Sequence, residues 1–174
     1  QQLLEGVDQG LATALRGWAA MALGNEEDAL ALLEQGLEPD LLFPLESGPL
    51  LLMRQMLYLQ RGDSASLKRA VVVANQLERQ LSAVSESLLD WPFGLSVGVM
   101  REVAQFLMGL VDLSQCPLLQ RSRILSAWDR LFHALGRYWI GEGVAPAELE
   151  LLKEDAAQAA DVGIQLYVDE VERL

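Results

Sequence analysis

Residues 13–37 read TALRGWAAMALGNEEDALALLEQGL, and residues 51–78 read LLMRQMLYLQRGDSASLKRAVVVANQLE. The two stretches carry the same punctuation. Ala20, Gly24, Ala29, Leu33 and Gly36 in the first align with Tyr58, Gly62, Leu67, Val71 and Ala74 in the second, a constant offset of 38 residues. Each has the form of a helix, a glycine turn and a second helix. Gly24 suits the left-handed residue that ends a helix, and Asn25 is a good cap for the next. Glu26, Glu27 and Asp28 then fall in a first turn, where the helix dipole favours negative charge. Gly62 and Asp63 repeat that chemistry. A self-similar period of this length is the mark of stacked helical hairpins.

The rest of the chain continues the helical pattern. The first helix is expected from about Gln2 to Leu23, with Leu4, Val7, Leu11, Leu15 and Trp18 at helical spacing on one face. The second runs from Glu26 to about Leu37. Pro39 and Pro44 mark 38–47 as a loop. The third helix opens at Ser47 or Gly48, with Pro49 in its first turn, and reaches Arg61. The fourth spans Ser64 to about Leu88. The fifth, capped by Asp90, continues to about Leu113. It is apolar almost all round, which means a membrane span or a central core helix. Arg101, Glu102 and Gln105 interrupt its middle and favour the core. The sixth is expected from Pro117 to Ile140. After a turn at Gly141 to Ala145, Pro146 starts a seventh helix that reaches the C-terminus.

The fold class that follows is all-α, with about seven helices. Antiparallel hairpins in residues 1–88 continue into a three-helix bundle in residues 89–174, with one core running through both. Charge supports the pairing of the last two helices. Residues 113–140 carry four Arg and one Asp, whereas 141–174 carry nine acidic residues against Lys153 and Arg173. Arg123, Arg130 and Arg137 recur every seven residues and form one stripe. Folding back at Gly141 sets Arg137 near Glu148, Arg130 near Glu154 or Asp155, and Arg123 near Asp161.

Composition excludes several functions. The formal charge is −12, which opposes nucleic acid and anionic membrane surfaces, both of which call for Lys and Arg. Half the 174 residues are apolar, enough for a sizeable core, and no apolar run has transmembrane length. One cysteine, Cys116, excludes an intramolecular disulfide and any cysteine-rich metal site. A lone His133, with no acidic residue three positions before it, builds neither a histidine metal site nor a di-iron motif. Cys116 with His133 is the one conceivable nucleophile and base, without supporting context. No glycine-rich phosphate loop follows a strand. The expectation is a non-enzyme without cofactor or metal, placed in the cytoplasm. The chain opens on Gln1 within a helical pattern, which suits a piece of a larger protein.

On Gly17, Ala20, Gly24, Ala29, Leu33 and Gly36, the first unit resembles a tetratricopeptide repeat. The second unit offers Gln55, Tyr58, Gly62, Leu67, Val71 and Ala74 in those places. The unit departs from the family's pattern at the leading aromatic, held here by Thr13 and Leu51, and in its longer period. The resemblance implies a right-handed stack of hairpins whose inner helices hold a partner's peptide or helix. Arg16, Arg54, Tyr58 and Arg61 are the residues it places there, Arg16 and Arg54 in equivalent positions. The implied role is an adaptor, chaperone or regulatory domain binding another protein. Two alternatives stand beside it. Trp128, Phe132 and Tyr138 crowd the sixth helix, where an aromatic-rich bundle lines a small apolar ligand's pocket. The apolar surface around the fifth helix offers a homo-oligomer contact.

Overall fold

The computed structural model describes residues 2–37, 44–82, 94–121, 127–159 and 168. Among them the chain is all-α, with seven α-helices: α1 (Gln2–Ala22), α2 (Glu26–Gly36), α3 (Pro44–Arg61), α4 (Ser64–Ser82), α5 (Gly94–Leu107), α6 (Ala127–Trp139) and α7 (Pro146–Ala159). Among the described residues a 3-10 turn, Leu113–Gln115, follows α5.

The turns follow from local chemistry. Gly24 has φ +78°, and around it Asn25 N–H donates to the Ala20 carbonyl at 2.9 Å while Gly24 N–H donates to Met21. This paired bonding satisfies carbonyls that the helix end leaves open. The Asn25 side chain then accepts from the Asp28 N–H at 3.3 Å and caps α2. Gly62, at φ +63°, closes α3 more simply, through one bond to the Tyr58 carbonyl. Asp63 accepts from Ala65 and Ser66 N–H, both at 3.0 Å, and starts α4.

Several boundaries differ from the sequence expectation. The fifth helix was expected to reach Leu113, but α5 ends at Leu107. Gly109 takes φ +68° there, with the same paired bonding from Gly109 to Phe106 and from Leu110 to Gln105. The sixth was expected to begin at Pro117. Residues 117–120 form turns instead, and α6 is described from Ala127. α3 begins at Pro44 rather than at Ser47 or Gly48, so Pro49 lies inside it. The expected end of helix four at Leu88 and the Asp90 cap lie outside the described residues.

Consecutive helices pack on one another. α1 lies on α2, both touch α3, α3 and α4 flank α5, and α6 packs between α5 and α7. One hydrophobic core runs from Ala14 to Val168. The α1–α2 crossing is built from small residues. A Cβ added at Gly36 would lie 2.5 Å from both the Ala14 nitrogen and the Gly10 oxygen, and one at Gly17 would lie 2.9 Å from Leu33 Cγ. Close approach of this kind needs glycine because backbone meets backbone. Leu15, expected on one face with Leu11 and Trp18, is 47% exposed. α5 is buried without interruption from Gly94 to Met100, as befits a central helix. No described helix is long and apolar enough to cross a membrane.

α6 and α7 are joined by charge in the expected register. Gly141 has φ +89° and reverses the chain. Arg130 Nε and Nη2 each lie 2.7 Å from the Asp155 carboxylate, a bidentate pair. Arg137 Nη1 lies 3.4 Å from Glu148. The third expected pair, Arg123 with Asp161, falls outside the described residues.

Candidate functional site

The residues that the repeat pattern assigns to a groove divide sharply. Arg16 is exposed on α1, whereas Arg54 on α3 is only 5% exposed. The two therefore do not project alike, despite their equivalent places in sequence. Arg54 sits where α3 meets the end of α2. Its Nη1 donates to the Leu37 carbonyl at 2.8 Å and its Nε has no hydrogen-bond partner. Burial pulls its pKa below the usual guanidinium value, partly offset by the nearby Tyr58 and Glu34. Tyr58, one turn further along α3, is 3% exposed, and its hydroxyl donates to Glu34 Oε1 at 2.8 Å. Burial and this bond push the phenol up to about 12. Arg69 of α4 also donates to Glu34 Oε1. One α2 carboxylate thus ties α3 and α4 to the first hairpin. Arg54 and Tyr58 stitch the units together and do not face solvent. Arg61 lies at the exposed end of α3, 3.7 Å from Asp63.

The aromatic group on α6 divides too. Phe132 is fully buried, and Trp128 stacks on it with ring centroids 6.1 Å apart and planes 20° from parallel. Tyr138 is half-buried near the C-terminal end of the helix.

Cys116, His133 and Glu102 gather around the segment that links α5 to α6. The Glu102 carboxylate accepts from Leu118 N–H at 3.0 Å and from Leu119 N–H at 3.0 Å. His133 Nε2–H donates to the Leu119 carbonyl at 2.9 Å, which fixes the neutral tautomer. The Cys116 thiol donates to the Asp112 carbonyl at 3.6 Å. Burial pushes the thiol up, and the Glu102 charge adds to that shift. An activated nucleophile needs the opposite displacement. Burial lowers the His133 pKa and raises that of Glu102. All three groups satisfy backbone atoms of the segment that follows α5, Asp112, Leu118 and Leu119. Among the described residues, no three His, Cys, Asp or Glu side chains gather as metal ligands.

The outward face of α4 was not singled out in sequence. Lys68, Arg69, Val72 and Arg79 are all exposed, Val72 by 55%. At 100° per residue they share an arc of about 120° with Ala65, Asn75 and Gln76. No acidic residue lies on that arc. The α4 acid, Glu78, points elsewhere and pairs with Arg101 of α5. From Lys68 to Arg79 the face runs about 16 Å, three turns of helix. The signal was legible: cations at i, i+1 and i+11 around a valine, in a chain of net charge −12. Local pattern alone does not separate such a face from an ordinary solvated one. No protein-family model, no curated protein and no solved structure matches the chain.

Proposed function

We propose that the chain is a non-enzymatic helical interaction module that docks an acidic, amphipathic helix of a partner protein on the outward face of α4. One observation carries the reading: Lys68, Arg79 and the exposed Val72 share a face on which α4 itself places no acid, beside Arg69, which reaches Glu34 of α2, on a molecule whose formal charge is −12. Such a face attracts acidic partners and fixes their register, while Val72 offers the apolar contact that charge alone lacks. The stacked hairpins supply a rigid platform. The raised Cys116 thiol and the neutral, hydrogen-bonded His133 support a role without catalysis. The lone buried thiol is compatible with the reducing, cytoplasmic setting of this reading.

The test is binding of a fluorescein-labelled acidic amphipathic peptide, read by anisotropy. The double substitution Lys68→Glu and Arg79→Glu weakens binding by at least about tenfold, because two attractive pairs become repulsive. Arg16→Glu leaves it unchanged. Equal affinity of the wild type and the double variant ends the proposal.

A further inference from the structure

α7 carries the complement of the α4 face. Its inner side is spent on the fold: Leu152 and Ala156 are buried, Asp155 pairs with Arg130 and Glu148 with Arg137. Its outer side presents Glu150, Leu151 and Glu154, all exposed, with Leu151 46% exposed. On the helical wheel these share an arc of about 120° with Ala147, Ala157 and Gln158. Lys153 lies off that arc and reaches Glu150 at 3.0 Å. Each helix therefore shows one exposed branched apolar residue flanked by charge of one sign from its own arc, Lys68 and Arg79 on α4 and Glu154 on α7, while Arg69 is engaged by Glu34 and Glu150 by Lys153. The same segregation runs through the sequence: residues 44–82 hold five Lys and Arg against three acids, and 141–174 hold two against nine.

The geometry points to a second copy of this chain as the acidic helix that docks on α4, through its own α7. This rests on the reading of α4 given above and names the occupant. In antiparallel register, Leu151 of one copy lies on Val72 of the other. Three residues further along α7, Glu154 then stands beside Lys68, which precedes Val72 by four residues, while Arg69 stays with Glu34. The matching positions fall one helical turn apart on both helices, so a single straight packing serves both. Net repulsion between two acidic molecules opposes the encounter, but at physiological ionic strength it decays over about 8 Å, and the local contact is attractive. A single helix pair buries less than a stable interface needs. Two reciprocal α4–α7 contacts across a two-fold axis close a dimer, whereas one-sided contacts give open chains.

The experiment is sedimentation velocity over a micromolar to millimolar series, with circular dichroism to confirm that every variant keeps its helix. The wild type rises in mass from 19.2 kDa toward twice that value or beyond. Lys68→Glu alone and Glu154→Lys alone each remain at the monomer mass, and an equimolar mixture of the two regains the larger species. A wild type that stays monomeric throughout overturns the self-association. So do charge reversals that associate as the wild type does, or a mixture that stays monomeric. The labelled acidic peptide separates this failure from that of the α4 reading. If the chain is monomeric yet binds the peptide, and Lys68→Glu releases it, only the choice of occupant falls.

Discussion

Replacing Gly36 by alanine tests the packing on which the first hairpin depends. Gly36 is the last residue of α2, buried against α1. A methyl group there would stand 2.5 Å from the Ala14 nitrogen, 2.5 Å from the Gly10 oxygen and 3.0 Å from the Ala14 Cα. All three are backbone atoms, so no side chain can swing aside, and the helices have to separate by about 1 Å to restore van der Waals contact. Overpacking of this kind costs about 1–3 kcal/mol, and forced backbone movement puts it at the upper end. Alanine regains up to about 1 kcal/mol of helix propensity over glycine. The net expectation is a loss of about 2 kcal/mol, or about 4–8 °C in Tm for a domain of this size. Gly10→Ala meets one backbone oxygen, at 2.9 Å, and costs less. Gly24→Ala has open space around it and is strained only by its φ of +78°, about 1 kcal/mol. Urea unfolding followed by far-UV circular dichroism gives the ranking at constant m-value. A Gly36→Ala protein as stable as the wild type refutes the close crossing.

Three further outcomes follow from the buried polar groups. Arg54→Met keeps the bulk and removes a buried charge whose Nε is unpartnered, so it lies within about 1 kcal/mol of the wild type or above it, whereas Arg54→Ala loses about 2–4 kcal/mol through the cavity; urea midpoints distinguish them. Tyr58→Phe removes the hydroxyl bond to Glu34 and costs about 1–1.5 kcal/mol, since Glu34 keeps Arg69; the same unfolding assay reads it. His133 has a folded pKa lowered by burial, so the unfolded chain binds the proton first and stability falls as pH drops below about 6.5. Glu102, raised by burial, acts in the opposite sense at lower pH, because the folded state takes up its proton first. His133→Gln therefore flattens the decline of thermal stability just below pH 6.5, and an unchanged pH profile contradicts the burial of the imidazole.

The charge pairing of α6 with α7 was readable because two simple rules suffice for it. A seven-residue arginine spacing defines a stripe, and a glycine turn defines the fold-back, so Arg130 met Asp155 and Arg137 met Glu148. The binding residues were less legible. Arg16 and Arg54 hold the same place in the repeat, yet one is exposed and the other buried. Their difference depends on what lies against each helix: among the described residues α3 packs on α1, α2, α4 and α5, whereas α1 packs mainly on α2 and to a lesser extent on α3. The sequence by itself determined the two glycine turns of the first hairpins and the helices that flank them, since Gly24, Asn25, Gly62 and Asp63 act through their own backbone and nearest neighbours. Only the tertiary structure decided which charges are structural and which face solvent. Exposure is a property of neighbours distant in the chain, and no local pattern encodes it.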